Sequence, residues 1–252
     1  MEARSKMGGK SDTPLLIKGK RLDGRKMDEM RPIKIKAGVI KGADGSCELQ
    51  FGETKILAAV YGPMKVLPRR NEEASRAFLN VNYFMAAFST SDRCRPGPSR
   101  RSTEISHVIR RALVPAIYME KYPQTEIRLI LQVTNANAGT RTSALNAATV
   151  ALIDAGIEMR DLVTSIAAGK IEDQIAVDLW QDEDNFGQAD LPIAIMPTTE
   201  EITLLQMDGD LTKAELKKAI DMCIKSCKEI AKLQRKAIIE SYSGKKGAKN
   251  EK

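Results

Sequence analysis

The chain has 252 residues, of which 42% are hydrophobic and 29% are charged, and its formal net charge is +7 at neutral pH. This composition is typical of a globular protein and excludes fibrous and disordered chains. The longest apolar runs, such as 56–61 and 193–196, are far shorter than the ~20 residues that a membrane span requires. The first residues also lack the apolar segment of a signal peptide, so we expect a cytoplasmic protein.

The cysteines and the single histidine do not predict a metal site. The four cysteines include no Cys-x-x-Cys pair, and His107 is the only histidine, which argues against zinc. Cys223 and Cys227 lie four residues apart in a helical pattern, which predicts two small core residues on one face of a helix. We interpret His107 as a packing or surface residue, and we expect a reducing compartment.

The first half of the chain is predicted to be mainly β-structure. We expect a flexible tail at residues 1–19, after which 33–63 and the segment FLNVNYFMAAF at 78–88 predict an antiparallel meander. Turn signals lie at 43–45 and 52–53.

Two helices and a strand complete this half. Apolar residues at helical spacing predict a helix over 103–121 that ends before Pro123. The segment 126–137 predicts a buried strand that leads into a helix at Thr140. That helix continues to Ala155 and is expected to be amphipathic, with small residues on one face.

The second half repeats the order of strands followed by a helix. The segment 164–180 predicts a hairpin, 191–197 and 201–208 predict strands, and 211–242 predicts a long helix. We therefore predict an α+β fold of two similar β-then-α halves, at about 20–155 and 156–242, in one compact domain. A flexible basic tail is expected at 243–252. The two halves are not visibly alike in sequence, so no internal repeat is inferred.

The segment Ala138–Ser143 joins the predicted strand to the predicted helix and has the composition of an anion site. It offers free N–H groups, a glycine, hydroxyl donors and Arg141. Arg141 lies in the first helical turn, where a cation is unfavourable unless an anion is nearby. The alternative is an ordinary helix cap formed by Thr140 or Thr142, with Arg141 pointing to water.

The segment Pro98–Glu104 places Arg100 and Arg101 at the start of the preceding helix. Two adjacent cations at a positive helix end again suggest an anion between them. Arginines in neighbouring loops extend this cluster into a track for phosphodiesters. The alternative is a solvated basic loop. The additional arginines are Arg69, Arg70, Arg93 and Arg95.

A third cluster places five acidic residues within 178–190. Carboxylates at a strand end can hold Mg²⁺, and an acid kept near other acids can have a raised pKa and donate a proton. Asp182 and Glu183 are expected to form a surface turn, whereas Asp190 immediately precedes an apolar strand and is expected to be half-buried. The acids are Asp178, Asp182, Glu183, Asp184 and Asp190.

Four ordered segments resemble the RNase PH superfamily, most closely its exosome ring subunits. The similarity covers about residues 20–240, and the combination is specific although each motif alone is weak. The resemblance implies an RNase PH-like fold and a 3′-to-5′ exoribonuclease that attacks RNA with inorganic phosphate. The segments are 22–63, 98–113, 137–162 and 182–197.

The resemblance also assigns roles to residues of the three clusters. It implies that Gly139, Thr140 and Arg141 hold the attacking phosphate, which would neutralise Arg141. It implies that Arg100 and Arg101 grip RNA phosphates and the incoming anion. Asp184 and Asp190 would act at the scissile bond, with Asp184 either a general acid or, jointly with Asp190, a ligand of Mg²⁺ or Mn²⁺. The remaining implied residues are Asp178 as a further acid and metal ligand, and Arg69 and Arg70 on the RNA path.

The same resemblance implies the partners of the chain. We expect a hexameric ring in which three copies alternate with an inactive paralogue, together with RNA-binding cap subunits and single-stranded RNA 3′ ends. Asn137 departs from the aspartate of many relatives and removes a charge there. The rival functions are a non-catalytic ring subunit that threads RNA and a metal-dependent hydrolytic nuclease.

Overall fold

The computed structural model describes residues 15–17, 20–95 and 97–249. Within them, two five-stranded sheets enclose a central helix, and a long helix covers the second sheet. None of the described helices has a stretch that is both long and apolar enough to span a bilayer. The α-helices are α1 (Arg100–Leu113), α2 (Thr140–Asp154), α3 (Gln181–Phe186) and α4 (Lys213–Lys249).

The ordered elements extend past the predicted tail boundaries at both ends. Two short strands, β1 (Leu16–Ile17) and β2 (Lys20–Arg21), pair with each other, so structure begins before residue 20. At the other end α4 continues beyond residue 242. Residues 1–14, 18 and 19 of the predicted N-terminal tail and 250–252 of the basic tail lie outside the described residues, and the domain limits remain predictions.

The first sheet has the strand order β3-β4-β5-β7-β6. The antiparallel meander is confirmed for its first three strands, with turns where the sequence placed them. It is wrong for β6, which pairs in parallel with β7. The reason is that α1 lies between β6 and β7 in the chain, and such a crossover returns the chain in the same direction. The strands are β3 (Ile33–Ala37), β4 (Gly45–Phe51), β5 (Thr54–Lys65), β6 (Phe78–Met85) and β7 (Thr125–Asn135).

Helix α1 begins three residues earlier than predicted and ends earlier as well. Ser99 caps it: the Ser99 hydroxyl accepts from the Ser102 N–H at 3.0 Å, and the Ser102 hydroxyl accepts from the Ser99 N–H at 2.7 Å. Pro115 lies in a 3-10 turn just after the helix, because proline cannot continue the hydrogen-bond ladder. The capping box places Arg100 and Arg101 at the first two helical positions.

The second sheet has the order β11-β10-β8-β9, with β12 also paired to β10. The predicted hairpin is confirmed, with its turn at Glu172 and Asp173. The acidic segment, expected to be a loop, instead forms the short helix α3 between β9 and β10. The strands are β8 (Thr164–Ile171), β9 (Gln174–Val177), β10 (Ala189–Met196), β11 (Glu201–Leu205) and β12 (Asp208–Gly209).

Helix α2 lies between the two sheets and packs against β4, β5 and β8. Thirteen of its fifteen residues are buried, so the prediction of an amphipathic helix is wrong: apolar sheets cover it on opposite sides. The approach to β4 is so close that a Cβ on Gly45 would lie 2.2 Å from the Ala155 nitrogen. This packing fixes the N-terminus of α2 relative to both sheets.

Helix α4 packs against the second sheet beside α2 and contacts β8, β9 and β3. Cys223 and Cys227 are fully buried on its inner face, as predicted, and all four cysteines are free thiols. Gln234 is also fully buried on this face of α4, and its Nε2 donates to the Asn146 carbonyl at 3.3 Å. The α+β architecture of two β-then-α units is thus confirmed, with a sheet and a covering helix in each.

Candidate active site

A cavity of about 480 Å³ lies where the N-termini of α1 and α2 face α3 and one edge of the second sheet. It brings together residues from all three predicted clusters, although these lie far apart in the sequence. The predicted site residues that line it are Arg101, Gly139, Thr140, Arg141, Asp178, Asp184 and Asp190.

The turn before α2 has a left-handed backbone at two successive residues, with φ of 55° at Ala138 and 62° at Gly139. The Thr54 hydroxyl lies 2.9 Å from both the Asn137 and Ala138 carbonyl oxygens and holds this turn against β5. A Cβ on Gly139 would lie 3.3 Å from Arg31 Nη2, so glycine suits both the conformation and the space.

The alternative interpretation of this segment, a threonine cap, is wrong. The N-cap residue is Gly139, which has no side-chain cap, and the Thr142 hydroxyl donates to the Gly139 carbonyl at 3.0 Å. Among the described residues, no side chain caps the first N–H groups of α2, and the residues that carry them line the cavity. This arrangement is suited to an anion.

Arg141 is half-buried and forms an ion pair, so it does not simply point to water. Its Nη2 donates to both carboxylate oxygens of Glu104, at 3.1 and 2.9 Å. Glu104 belongs to the second turn of α1, and the pair therefore joins the two helix N-termini. A carboxylate of the chain thus partly neutralises Arg141, which had been expected to depend on phosphate.

The other predicted arginines divide into two groups. Arg101 is exposed but lines the cavity from the second position of α1. Arg100 is exposed and is not part of the cavity lining. Arg69 and Arg70 are exposed in a 3-10 turn at Arg69–Asn71 and also lie outside it. Only Arg101 and Arg141 therefore place guanidinium groups at the cavity itself, among the predicted arginines.

Asp184 and Asp190 face these arginines and have raised pKa values. Burial raises the pKa of Asp184, against the opposing effect of Arg101, Arg141 and Arg31. Burial also raises the pKa of Asp190 to about 7, and the charge of Asp184 adds to this. Two interacting carboxyl groups in one desolvated site share their proton. The pair can therefore hold a proton near neutral pH.

Asp178 lies in the cavity wall, but its carboxylate is used by arginines of the N-terminal segment. Its Oδ1 accepts from Arg31 Nη2 at 2.7 Å, and its Oδ2 accepts from Arg31 Nε at 2.9 Å and from Arg25 Nη1 at 3.0 Å. The backbone N–H of Arg31 donates to Oδ2 as well, at 2.8 Å. Because arginines bind both of its carboxylate oxygens, Asp178 is better suited to hold Arg31 than to bind a metal ion.

Arg31 in turn connects the two sides of the cavity. Its Nη1 donates to the Asn137 carbonyl at 2.5 Å, next to the turn that precedes α2. The same guanidinium is bound to Asp178, just after β9. The turn that carries Gly139 and the segment that leads to Asp184 are therefore tied together through one buried side chain.

The expectation that Glu183 lies in a surface turn is wrong. Glu183 is 1% exposed and forms a buried ion pair with Arg21, whose Nε donates to its Oε1 at 2.8 Å. Its Oε2 accepts from the Trp180 N–H at 2.8 Å, at the start of α3. Asp182 is half-buried. The pair with Arg21 anchors α3 and thereby fixes the neighbouring Asp184.

Asn137 is buried and makes a contact that an aspartate could not make. Its Nδ2 donates to Glu53 Oε2 at 2.5 Å. An aspartate at this position would place two carboxylates side by side, so the absence of a charge suits the Glu53 neighbour in this chain.

Several residues of the site were not found from the sequence: Arg31, Glu104 and Gln206. Gln206 follows β11, lines the cavity, and donates from Nε2 to Glu104 Oε1 at 3.3 Å. Arg31 and Glu104 lie within quoted motifs, but no role followed from those motifs, and the partners of these residues lie from 37 to 147 residues away. The opposite charges of Arg31 and Asp178 were visible, but nothing local in the sequence pairs them.

Polar atoms that line the cavity are available for a ligand. Arg141 Nε, Asp190 Oδ1 and Gln206 Oε1 are buried and have no hydrogen-bond partner among the described residues. Buried polar atoms are almost always paired with protein, water or ligand. The N–H donors on one side of the cavity suit a polyanionic substrate. The carboxyl groups on the other side suit a reacting group that gains a proton.

Comparison with protein families gives two adjacent matches that cover most of the chain. Domain 1 of the 3′ exoribonuclease family (RNase PH) matches residues 29–158, and domain 2 of the same family matches residues 161–226. The boundary between the two matches falls between α2 and β8. It therefore coincides with the boundary between the two β-then-α units.

Relatives and solved structures agree with this assignment. The exosome complex component Rrp41 of Methanopyrus kandleri is 54% identical over 226 residues, which are 90% of this chain and 95% of that protein. The Rrp41 of Nitrosopumilus maritimus is 49% identical over 243 residues, 96% of this chain and 100% of that protein.

Two solved structures share the fold at lower sequence identity. Rice Rrp46 superposes with a TM-score of 0.77 at 24% identity, covering 86% of this chain and all of that chain. A chain of the Archaeoglobus fulgidus exosome, solved with RNA bound to the active site, superposes with a TM-score of 0.73 at 22% identity, covering 84% and 91%. This chain has the RNase PH fold and belongs to the 3′ exoribonuclease family.

Proposed function

We propose that this chain is the catalytic subunit of an exosome ring and removes nucleotides from RNA 3′ ends with inorganic phosphate. The observation that carries the proposal is the cavity in which Arg101 and Arg141 face Asp184 and Asp190. Two anions, phosphate and phosphodiester, must be brought together in this reaction, and cations at two helix N-termini offset their repulsion.

In the proposed reaction the turn at Gly139 and Thr140, together with Arg141, holds inorganic phosphate. A phosphate oxygen attacks the phosphorus of the last phosphodiester, and the bond from that phosphorus to the 3′ oxygen of the preceding ribose breaks. The departing oxygen takes a proton from the carboxyl pair, with Asp184 as donor. The products are a nucleoside diphosphate and an RNA shorter by one nucleotide.

The same site supports the reverse reaction. The phosphoester that breaks is replaced by the anhydride of a nucleoside diphosphate, so the reaction is near balance and nucleotides can also be added to 3′ ends. Because phosphate replaces water as the nucleophile, this chemistry is phosphorolysis and not hydrolysis.

A divalent cation, Mg²⁺ or Mn²⁺, fits the acidic side in part. Asp184 and Asp190 lie close enough for the charge of one to raise the pKa of the other, and Asp190 Oδ1 has no partner among the described residues. In the same described part of the chain, no group of three or more potential ligands is found. Two carboxylates with water and substrate oxygens are an ordinary Mg²⁺ site, and the ion would supply positive charge near the leaving oxygen.

The exposed arginines extend the proposed site towards RNA. Arg100 lies next to Arg101, and we assign Arg69 and Arg70 to the path along which the single strand reaches the cavity, where they would contact phosphates. The proposal includes a cytoplasmic hexameric ring of three copies alternating with an inactive paralogue, with RNA-binding caps. The relatives named Rrp41 are exosome components, which supports the ring.

A test of the proposed function is the identity of the products. The chain, assembled with its ring partner, is incubated with 5′-labelled and internally labelled RNA, with and without inorganic phosphate. We expect nucleoside diphosphates that form only when phosphate is present. Monophosphates that form without phosphate would instead establish a hydrolytic nuclease, and RNA that is bound but never shortened would establish a non-catalytic ring subunit.

A further inference from the structure

The contact between Glu104 and Arg141 links the two helix N-termini that carry the basic side of the cavity. Arg141 Nη2 lies 3.1 and 2.9 Å from the two oxygens of Glu104. Glu104 is three residues after Arg101, one turn further along α1. A carboxylate is an unexpected neighbour for an anion site, because it repels the same phosphate that Arg141 attracts.

The contact occupies only part of the Arg141 guanidinium. A guanidinium has five N–H donors in a rigid plane, and those that bind Glu104 belong to Nη2. The Nε atom is buried without a hydrogen-bond partner in the described part of the chain. Fixing Nη2 therefore fixes the plane of the group and the direction in which the other donors point.

Glu104 also holds a second residue of the cavity lining. Gln206 Nε2 donates to Glu104 Oε1 at 3.3 Å, and Gln206 Oε1 is buried and has no hydrogen-bond partner among the described residues. One carboxylate thus joins α1, the start of α2 and the segment after β11. Both residues that it holds present a buried polar atom at the cavity.

We propose that Glu104 is a positioning residue, which orients Arg141 so that its remaining N–H donors bind inorganic phosphate, and which holds Gln206 in the cavity wall. This inference rests on the proposed function and adds Glu104 to the site as a residue that positions the phosphate-binding group. The benefit of a fixed guanidinium outweighs the repulsion because Glu104 is about half exposed, at 44%, where water screens its charge more effectively than that of a buried group. Exposed ion pairs contribute little to folding stability, so the substitutions below leave the fold intact.

The experiment compares Glu104→Ala and Glu104→Gln in phosphorolysis at varied phosphate and saturating RNA. Glutamine keeps an oxygen that accepts from Arg141 but removes the charge, whereas alanine removes both. We expect Glu104→Ala to lower kcat/KM for phosphate about 10-fold, with kcat reduced, and Glu104→Gln to retain activity within about threefold. Rescue by glutamine distinguishes orientation from charge.

The control is Glu120→Ala, which removes a comparable surface ion pair between Glu120 and Arg160. Neither residue lines the cavity, and we expect wild-type kinetics. Normal kcat and KM for phosphate in Glu104→Ala would overturn the inference. A lower KM for phosphate in both Glu104 variants would also overturn it, because Glu104 would then act only as a competing charge. A wild-type protein with no phosphate-dependent activity would overturn the proposed function and this inference with it.

Discussion

The basic side and the acidic side of the cavity differ in their exposure to water. The basic side, Arg101 and Arg141, lies at helix N-termini where the side chains remain partly exposed. The acidic side, Asp184 and Asp190, is desolvated enough that the pKa values of both carboxyl groups are raised. An anion can reach cations that stay near water, whereas a carboxyl group retains its proton only away from water. Each environment thus suits one step of phosphorolysis.

The two sides also differ in how they are held. Local features begin the basic side, namely the Ser99 capping box and the left-handed turn at Gly139, and contacts of Glu104, Thr54 and Arg31 hold these features in place. The acidic side depends on contacts between distant segments, namely Arg21 with Glu183 and Arg31 with Asp178. Substitutions on the basic side should therefore weaken phosphate binding, whereas substitutions on the acidic side should remove the proton donor.

Replacement of Asp184 by Asn should have the largest effect. The amide keeps the shape but cannot give a proton, and loss of a general acid costs about 10²- to 10⁴-fold in rate. We expect this loss in kcat, with RNA retention and ring assembly unchanged, in a phosphorolysis assay. Asp182→Asn, on the same short helix but not in the cavity lining, is the control. Wild-type rates in Asp184→Asn would remove Asp184 from the mechanism.

Replacement of Arg141 by Ala tests the basic side. Loss of one preorganised charge stabiliser costs about 10²- to 10³-fold, and here it should also raise KM for phosphate. Lysine at this position keeps the charge without the planar fork, so its effect should be intermediate. Arg160→Ala serves as the control for removing a surface arginine. An unchanged KM for phosphate would place the anion elsewhere.

Replacement of Asp190 by Asn changes the pH dependence of stability. Because the pKa of Asp190 is raised to about 7 from 3.8, the folded state keeps a proton that the unfolded chain releases between these values. Wild-type stability therefore falls as the pH rises from 4 to 7, by a few kcal/mol at most at ~1.4 kcal/mol per pKa unit. The Asn variant lacks this fall.

Thermal unfolding at several pH values measures the difference. We expect the Tm of Asp190→Asn to exceed that of wild type by several degrees at pH 8 and to match it near pH 4. A constant difference across this range would show that Asp190 has an ordinary pKa and is not desolvated.

The smallest effect is expected from Arg69 and Arg70, which lie outside the cavity. Joint replacement by Ala should weaken RNA binding several-fold and leave kcat at saturating RNA unchanged. The slope of log K against log salt should become shallower by about 0.7 for each lost phosphate contact on single-stranded RNA. Arg235→Ala, an exposed arginine on α4, is the control. An unchanged salt slope would take both arginines off the RNA path.

The sequence predicted what depends on neighbouring residues. The strands, the turns at 43–45 and 52–53, the hairpin at Glu172 and the buried cysteines of α4 all followed from periodicity and turn chemistry. The parallel pairing of β6 did not, because strand direction depends on where the intervening helix returns the chain. Burial of α2 on all sides also depends on the second sheet, which its own sequence does not describe.

The same distinction applies to the site. Arg101, Arg141 and Asp190 stood out because cations at helix N-termini and an acid next to an apolar strand are unusual. Glu183 looked like one of several surface acids, and only its pairing with Arg21, 162 residues away, buries it. Asp178 was likewise assigned to metal binding because the sequence does not reveal Arg31 beside it.

Direct binding of inorganic phosphate, measured by titration calorimetry without RNA, tests the division between the two sides most directly. We expect wild type and Asp184→Asn to bind phosphate with similar affinity, because Asp184 belongs to the acidic side of the cavity. Arg141→Ala should bind at least about 10-fold more weakly. Equal affinity in Arg141→Ala and wild type would contradict the assignment of phosphate to the basic side of the cavity.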